Sequence, residues 1–502
     1  MGFGDYLALT GLAASAIVFF LLARSAASNR LTVSSYLLAD RTATKKDYGP
    51  SMVAASTSLA TVILFFLGTV SYYGWTLLLC GITYYAGQIL FIKLVGRTRI
   101  STNSLSTNAQ FWHDYTGARF TSFVIALLTV MAFLIILFVE LYIGSVILTY
   151  YFAGDDGVSG WAGLLAFVLL GSVVIAYVRV GGMRVVFQTD AWQLRLMLAS
   201  VIALAIFVFT LPPTTSDTEP PAFGSFSASA GTLIVFYAWI ILLNFTLPFT
   251  QLSSWQRLAS TSSVREAMSG LIRSSPSFLI IWFLPVLCFA GLLAKGYEFG
   301  DLTQLFDTLR TGPETSEGIL YPIIFIGFAS ALFSTADTAM IALQFAVSDK
   351  LLSGKTFQST DEQVLRKRFL VSMIVIVILL GAVFFVAQAD LGSWFMPLVY
   401  AIFGQLTITA PQMLYAIVGH IRGASSRSLS VLGDSLNAVA MCLAWLILMG
   451  STLLKAQGYL PQEMSQEIAT FIAVAVSTLG VLAAHITKGT ENLSALEAGQ
   501  QS

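Results

Sequence analysis

Residues 49–74 read GPSMVAASTSLATVILFFLGTVSYYG, a segment long and apolar enough to cross a membrane that nevertheless opens with a proline. The residues after Pro50 are small or hydroxylated, at a depth where lipid-facing helices carry large apolar side chains. A proline removes one helical hydrogen bond, and Ser and Thr side chains can satisfy the carbonyls that a break leaves free. The segment therefore predicts a membrane helix interrupted near Thr57, although small residues also permit close packing between unbroken helices.

Apolar stretches of similar length continue along nearly the whole chain of 502 residues. Hydrophobic residues make up 56% of the sequence and charged residues only 10%, which leaves too little polar surface for a soluble protein. A bilayer core roughly 30 Å thick requires about 20 apolar residues per helix. We therefore predict an all-α membrane protein with thirteen transmembrane helices, at 4–23, 49–74, 76–95, 120–150, 159–178, 190–212, 229–252, 275–294, 319–347, 369–388, 392–419, 429–452 and 466–486.

Positive charges are distributed unevenly between the two sides of the predicted membrane. If the N-terminus lies outside, most of the 26 Lys and Arg residues fall in cytoplasmic connections, and Arg257 is among them. The exceptions are Lys295, Arg310 and Lys455 in outer connections and Arg195 within a span. Because cytoplasmic connections are enriched in Lys and Arg, we predict a multi-pass protein of a bacterial cytoplasmic membrane with its N-terminus outside and its C-terminus in the cytoplasm.

The predicted helix 229–252 is a second candidate for an interrupted helix. It carries polar residues and a proline at membrane depth, namely Asn244, Thr246, Pro248, Thr250 and Gln251. It comes five positions after 49–74 in the order of spans, as expected for a five-helix unit repeated with inverted topology, whose interrupted helices meet at a substrate site near the midplane. We expect a ten-helix transport core at 49–419, a leading helix and cytoplasmic loop at 1–48, two trailing helices at 420–487 and a cytoplasmic tail at 488–502.

The predicted helix 319–347 contains the segment SALFSTADTAM at 330–340. Ala331, Ser334, Thr335 and Thr338 follow i, i+3, i+4, i+7 spacing, so they share one face of a helix. A small alkali cation prefers oxygen ligands, which adjacent hydroxyls and the carbonyls of a helix break can supply. The alternative is that these hydroxyls bond to carbonyls one turn earlier in their own helix.

Three acidic residues stand inside predicted helices, namely Glu140, Asp190 and Asp337. A charged carboxylate near the centre of a membrane helix costs about 2.5–3.5 kcal/mol on insertion scales, so it usually faces a polar cavity or a partner. Asp190 has two alternatives to an ion-binding role: capping its helix, or pairing with Arg184 or Arg195. Glu140 is a candidate for a proton relay or a polar relay.

Polar residues near the presumed midplane are candidates for solute binding, although each could instead form a hydrogen bond between packed helices. They are Ser56, Gln88, Tyr237, Asn244 and Gln405. The sequence has no Gly-rich phosphate loop and no array of basic helices. We therefore expect neither an enzyme nor a protein that binds nucleic acid.

Four segments, in the same order, resemble the sodium:solute symporter family, which includes bacterial proline, sialic acid and galactose symporters. YVRVGGMRVVFQTDAWQ at 177–193 is similar to its Gly-Gly and Thr-Asp-x-x-Gln pattern. SSYLLADRT at 34–42 is similar to its Tyr-x-Leu-Ala-Gly-Arg segment, with Asp40 where Gly is usual. WQRLASTSSVREA at 255–267 resembles its Gln-Arg-x-x-Ala segment, and SALFSTADT at 330–338 resembles its sodium-binding eighth core helix. The resemblance implies a LeuT-type core with a 5+5 inverted repeat.

The resemblance also implies ligands, carried over by position. The main sodium site would use three carbonyls and two hydroxyls, those of Ala54, Thr57, Ala331, Ser334 and Thr335. A second cation site, present in some members, would use Asp190, Asp337 and Thr338. Asp337 replaces a hydroxyl of the family pattern, and this departure could strengthen cation binding, admit a proton or neutralise an amine on the solute.

These features together predict a sodium-coupled secondary active symporter that imports a small polar organic solute, such as an amino acid or a related compound, by alternating access. The expected partners are the solute, Na⁺ and membrane lipid. A proton-coupled carrier of the same fold is the nearer alternative because of Glu140 and Asp337. A membrane sensor that keeps the fold but signals instead of transporting is the other.

Overall fold

The computed structural model describes residues 3–26, 32–98, 107–153, 161–214, 221–225, 227–297, 302–311, 319–347, 370–378, 380–381, 384, 391–423, 428–460 and 465–500. Within these ranges the protein is helical throughout, and its only extended pairing is an isolated bridge between Ala43 and Thr261. The principal helices are α1 (Phe3–Ala26), α2 (Val33–Leu38), α3 (Lys45–Ala55), α4 (Leu64–Tyr73), α5 (Leu78–Arg97), α6 (Asn108–Thr116), α7 (Arg119–Ala153), α8 (Trp161–Thr210), α9 (Ala230–Thr250), α10 (Leu252–Ser260), α11 (Val264–Arg273), α12 (Ser275–Ala294), α13 (Leu302–Thr311), α14 (Leu320–Val347), α15 (Leu391–Thr407), α16 (Ala410–Ile421), α17 (Val431–Ala456) and α18 (Ser465–Gln500).

Ten helical segments in the described ranges are long and apolar enough to cross a membrane. Two of them, Leu59–Arg97 with 39 residues and Trp161–Thr210 with 50 residues, have the length of two crossings each, since one crossing needs about 20 residues. The predicted span 369–388 lies partly outside the described residues. The count of thirteen transmembrane helices therefore stays a prediction, whereas the all-α membrane architecture is confirmed.

Helix α8 joins the two predicted spans 159–178 and 190–212 through a sharp bend at Gly182. The backbone of Gly182 has φ 57° and ψ −138°, a conformation that side chains disfavour. A Cβ at this position would also lie 2.1 Å from the carbonyl oxygen of Tyr36 on α2. The second glycine of the Gly181-Gly182 pair is therefore required by both backbone conformation and space.

The interruption predicted in 49–74 is confirmed. Helix α3 ends at Ala55, the chain is non-helical at Ser56–Ser58, and a π-helical turn over Leu59–Ile63 leads into α4. The Ser58 hydroxyl accepts a hydrogen bond from the Thr61 amide at 2.7 Å and so caps the second half of the helix. The Thr57 hydroxyl donates to the Val53 carbonyl at 3.0 Å. It thus satisfies a carbonyl next to the break, as expected for a hydroxyl within the membrane.

The predicted interruption in 229–252 lies at Gln251, the last of the residues named for it. Helix α9 runs without a break past Asn244 and Thr246, and it ends only at Thr250. Gln251 then adopts an extended conformation with ψ 110°, and α10 starts at Leu252. Pro248, which has no amide hydrogen to donate, lies two residues before the end of α9.

Two further differences concern the C-terminal third of the chain. The predicted span 392–419 is divided at Ile408–Thr409, between α15 and α16. Helix α18 continues to Gln500, through most of the segment 488–502 that we expected to be a tail.

Helix α14 is the most buried of the ten segments, with 83% of its most apolar stretch covered, against 17% for α1 and 33% for α17. It packs against α8, α7, α1 and α3. Helices α1 and α17 instead leave large apolar side chains exposed, among them Ile17 and Val431, as lipid-facing helices do. The serine- and threonine-rich segment 330–340 thus lies on a central helix.

Candidate functional site

A cavity lies beside the break between α3 and α4, and it is bounded by α5, α9, α12 and α14. It contains about 830 Å³ of space between atoms, part of it open to solvent. Eight polar residues line it: Ser56, Ser58, Thr61, Tyr84, Asn244, Gln251, Thr335 and Thr338. Among its lining residues none carries a charge at neutral pH, so the wall offers hydroxyl and amide groups but no ion pair.

Aromatic rings form much of the remaining wall of the cavity, namely Phe65, Phe66, Phe133, Trp239, Trp282 and Phe403. Trp282 stacks on Tyr84 at 5.2 Å between ring centroids and meets Phe66 edge-on at 5.9 Å. Its indole nitrogen donates to the Ser56 hydroxyl at 3.4 Å, which ties α12 to the helix break. Apolar walls with a few fixed polar groups are typical of small-solute sites.

The hydroxyls of α14 behave differently from one another. Ser330 bonds to the Ile326 carbonyl at 2.8 Å, one turn earlier in its own helix. Ser334 instead donates to Asp190 Oδ1 at 2.6 Å, across to α8. Thr335 is buried, lines the cavity, and its Oγ1 has no hydrogen-bond partner among the described residues. The alternative of bonding within the helix therefore describes Ser330 but not the two hydroxyls proposed as sodium ligands.

The backbone positions proposed for the main sodium site are all buried. Ala54 and Thr57 lie at the end of α3 and in the break, and Ala331 lies on α14, which packs against α3. The Ala54 carbonyl accepts a hydrogen bond from the Thr57 amide at 3.0 Å, which leaves its second lone pair available. The five positions therefore lie on facing elements, and sodium binding by them stays a prediction.

Asp190 pairs with a residue that the sequence analysis placed elsewhere. Arg257 Nη2 lies 3.2 Å from Asp190 Oδ2 and donates to Thr338 Oγ1 at 2.7 Å. Arg257 Nε donates to Ser51 Oγ at 2.8 Å, and Ser51 Oγ donates to Asp190 Oδ2 at 2.5 Å. This four-residue cluster joins α3, α8, α10 and α14.

Arg257, expected in a cytoplasmic connection, lies on helix α10 with its side chain buried. The side chain is 1% exposed, because the chain turns at Gln251 and sends α10 back against the protein core. Neither proposed partner of Asp190 takes that role: Arg184 pairs with the exposed Asp40 at 3.2 Å, and Arg195 lies over the Trp192 ring. The sequence signal that could have indicated a buried helix here is the apolar residues near Arg257, namely Trp255, Leu258 and Ala259. All three are buried.

Asp337 is fully buried and does not form an ion pair with any described residue. The Tyr177 hydroxyl donates to Asp337 Oδ2 at 2.9 Å, and the Thr189 hydroxyl lies 3.4 Å from the same oxygen. Tyr177 was not among the predicted site residues, although it lies in the segment 177–193 that carries the Thr-Asp pattern. Three residues were proposed for a second cation. Asp190 and Thr338 contact Arg257, and Asp337 contacts Tyr177.

Glu140 of α7 reaches the helix break. The Ser58 hydroxyl donates to its Oε1, and the Ala60 amide lies 3.3 Å from the same oxygen. Its second oxygen, Oε2, is buried and has no hydrogen-bond partner among the described residues. The carboxyl group thus lies at the start of the half-helix that leads into α4.

Two of the five candidate solute contacts line the cavity, Ser56 and Asn244. Asn244 also donates to the Cys80 carbonyl at 3.1 Å and to Thr83 at 3.0 Å, so it joins α9 to α5 as well. The other three, Gln88, Tyr237 and Gln405, lie away from the cavity wall.

The contacts of these three residues are with other groups of the protein. Gln88 donates to Tyr84 at 3.0 Å, and Gln405 donates to the Leu128 carbonyl at 2.5 Å. Tyr237 is half-buried beside Phe236 on α9. A polar side chain at membrane depth satisfies its hydrogen bonds with whichever helix is nearest, and the sequence does not specify that neighbour.

Comparison with known proteins identifies the fold. No family model matches the sequence, and a search of curated proteins found no match. A solved structure of a Na⁺-coupled sialic acid symporter, in a substrate-bound outward-open state, matches 97% of this chain and 98% of its own, with a TM-score of 0.66 and 15% identity. A manganese transporter of Eremococcus coleocola matches 92% and 97%, with a TM-score of 0.56 and 14% identity. MhsT in complex with L-phenylalanine matches 88% and 99%, with a TM-score of 0.54 and 16% identity.

The chain therefore has the LeuT-type transporter fold and is an integral, multi-pass membrane protein. At these identities the likeness establishes the fold, and the solutes of the three proteins do not identify the solute of this one.

Proposed function

We propose that this protein is a sodium-coupled secondary active symporter that imports a small organic solute by alternating access. The observation that carries the proposal is the cavity at the break between α3 and α4, which faces a buried threonine hydroxyl without a hydrogen-bond partner among the described residues. An orphaned polar atom at membrane depth is costly unless a ligand satisfies it. The proposed ten-helix core is 49–419, flanked by 1–48, 420–487 and the segment 488–502.

Sodium is the ligand that best suits this hydroxyl. The Ser334 hydroxyl donates a hydrogen bond to Asp190 Oδ1 at 2.6 Å, so the lone pairs of its oxygen are left to face a cation. Thr335 on the next position has both lone pairs available. Two hydroxyls, together with the carbonyls of Ala54, Thr57 and Ala331, make the all-oxygen site that hard cations prefer.

Coupling follows from the position of this site between two elements. A cation bound to both α14 and the broken helix would hold them together and favour the outward-open state. The solute cavity borders the same two elements, so sodium and solute would raise each other's affinity by the same factor. Inward movement of one positive charge through 100 mV supplies about 2.3 kcal/mol, which supports substantial accumulation of solute.

Ser51, Asp190, Arg257 and Thr338 form what we call the Arg257 cluster. We propose that this cluster closes the solute cavity toward the cytoplasm. With the N-terminus outside, α3 runs from its cytoplasmic end at Lys45 toward the break, so Ser51 lies between the cytoplasm and the cavity. Ser51 and Thr338, on two different helices, are both held by the Arg257 guanidinium. Opening toward the cytoplasm would separate these contacts. Arg257 also supplies the positive charge that a second cation would bring to Asp190, so we propose that one sodium ion moves per cycle.

The test is flux in sealed proteoliposomes. A solute is first selected as one that raises the melting temperature of the purified protein more in sodium than in potassium. We expect its uptake to follow an inward sodium gradient and to rise with an inside-negative potential. Equal uptake after replacement of sodium by potassium would contradict sodium coupling.

A proton-coupled carrier is the second candidate, favoured by the unpaired Glu140 Oε2 at the break. Uptake driven by a pH gradient in the absence of sodium would identify it. A sensor with the same fold would bind solute and a partner protein without net flux.

A further inference from the structure

The half-helix that starts at the break already has a carboxyl group at its N-terminus, that of Glu140. Ser58 caps this half-helix by accepting from the Thr61 amide, and it donates to Glu140 Oε1. The Ala60 amide also points to that oxygen at 3.3 Å. Glu140 is fully buried, and its Oε2 is without a hydrogen-bond partner in the described residues.

A helix N-terminus presents unpaired amides and a positive dipole end, so it favours an anion. In transporters built from interrupted helices, this end commonly faces the anionic group of the substrate. Here a side chain of α7 fills that place. A solute carboxylate at the same point would lie against the carboxyl oxygens of Glu140 and would find the Ala60 amide and the Ser58 hydroxyl already engaged.

The titratable side chains next to the cavity are mostly acidic. Three buried carboxyl groups, those of Glu140, Asp190 and Asp337, bond to the cavity-lining residues Ser58 and Thr338 or to the Arg257 cluster. The salt bridges of the described residues give Asp190 one buried cation, Arg257, and give Glu140 and Asp337 none. A buried carboxyl group without a cation is costly in its charged form, so a positively charged group brought by a solute would stabilise that form.

The cavity wall fits a solute that carries such a group. Aromatic rings line it, including those of Trp239, Trp282 and Tyr84, and no cationic side chain is among its lining residues. Aromatic faces attract organic cations within about 6 Å. We infer that the transported solute is an organic cation with an apolar body, an amine or ammonium compound without a carboxylate. This inference rests on the proposed function.

The first test uses probes that share one apolar body and differ in charge: phenethylamine, L-phenylalanine, 3-phenylpropionate and 2-phenylethanol. Choline and glycine betaine form a second pair, in which a hydroxyl replaces a carboxylate. Binding to the purified wild type is measured in sodium as an increase in melting temperature. We expect the amine and choline to bind at least about tenfold more tightly than their carboxylate-bearing counterparts, and Glu140→Gln to reduce that preference.

The second test needs no solute. Glu140→Ala leaves the half-helix N-terminus without its carboxyl group, so added formate should occupy it and raise the melting temperature of this variant. Formate should have no such effect on the wild type or on Glu140→Gln, compared with chloride at equal ionic strength. If Glu140→Ala does not fold even in formate, the probe preference of Glu140→Gln decides.

Equal or tighter binding of the carboxylate-bearing probes, binding of no cationic probe, or a formate effect that does not depend on residue 140 would overturn the inference. Sodium-driven flux of a carboxylate-bearing solute would overturn it and leave the proposed function standing. Binding of cationic probes with no sodium-driven flux would overturn the proposed function and leave the preference for a cationic solute standing.

Discussion

The guanidinium of Arg257 lies 3.2 Å from the carboxylate of Asp190, and both side chains are withdrawn from solvent. The same separation recurs between Arg184 and Asp40, whose side chains are 39% and 40% exposed. The two pairs thus have equal geometry and opposite burial. Removing one partner of a buried pair leaves an uncompensated charge in a low-dielectric interior, whereas an exposed charge regains water.

We therefore expect Arg257→Gln to lower the free energy of unfolding by about 3–5 kcal/mol. Asp40→Asn, at the exposed pair, should cost less than about 1 kcal/mol. Asn also tolerates the positive φ of 54° at residue 40, so the control adds no backbone strain. Chemical unfolding in detergent measures both values.

The double variant Arg257→Gln/Asp190→Asn completes the cycle. It should lose less stability than the two single variants added together, because each replacement relieves the charge left by the other. Additive losses would show that the two groups do not interact.

Thr335→Val should weaken sodium affinity by about tenfold or more, because it removes a buried oxygen of similar volume and a lost contact to a charged group costs ~1.5–3 kcal/mol. Ser334→Ala should act in the same direction. Sodium titration of solute binding to the purified protein measures the change.

Ser330→Ala on the same helix is the matched control, since its hydroxyl bonds to the Ile326 carbonyl and lies outside the proposed site. Unchanged sodium dependence in Thr335→Val and Ser334→Ala, with the control also unchanged, would reject the role of these hydroxyls.

Asp337→Asn should change the choice of cation or the number of cations per cycle, because it removes a buried acidic group next to Thr338. Transport currents recorded across a series of sodium concentrations and pH values test this expectation. Tyr177→Phe is the control, because it removes the 2.9 Å hydrogen bond to Asp337 and keeps the charge. Asp337→Asn currents with the sodium and pH dependence of the wild type would count against a role for the carboxylate.

Gly182→Ala should destabilise the protein by at least about 1–2 kcal/mol, because the new side chain must adopt a positive φ and would collide with the Tyr36 carbonyl. Gly450→Ala is the comparison: this glycine lies within α17 with open space around its Cβ position. Alanine there should be neutral or stabilising by up to ~1 kcal/mol, since it favours helix. Equal melting temperatures for the two variants would show that the bend at Gly182 tolerates a side chain.

The sequence predicted the elements of the site better than their contacts. The break at Ser56–Ser58 could be located because proline and clustered hydroxyls act on the backbone next to them. The break at Gln251 falls among the residues predicted to interrupt its span, but the sequence did not specify which of them marks the end of α9. Ser334 and Thr335 could be identified by spacing, yet the direction in which each hydroxyl points depends on α8 and on the cavity.

Arg257 shows the limit of reading charge along the chain. The excess of Lys and Arg on one predicted side orients a whole protein, because it sums over many residues. It does not identify an arginine whose side chain turns into the core, as that of Arg257 does, since that depends on where α10 packs.

The amino-acid sequence alone was sufficient for the membrane solvent, the all-helical architecture and the position of the first helix break, because hydropathy, helical period and proline act over short stretches of chain. Tertiary structure alone decided that Arg257 pairs with Asp190, that Glu140 lies at the half-helix N-terminus, and that Gln88, Tyr237 and Gln405 lie away from the cavity. The reason is that a buried polar group is defined by its partners, and these lie tens to hundreds of residues away in the chain, on helices whose packing no local pattern specifies.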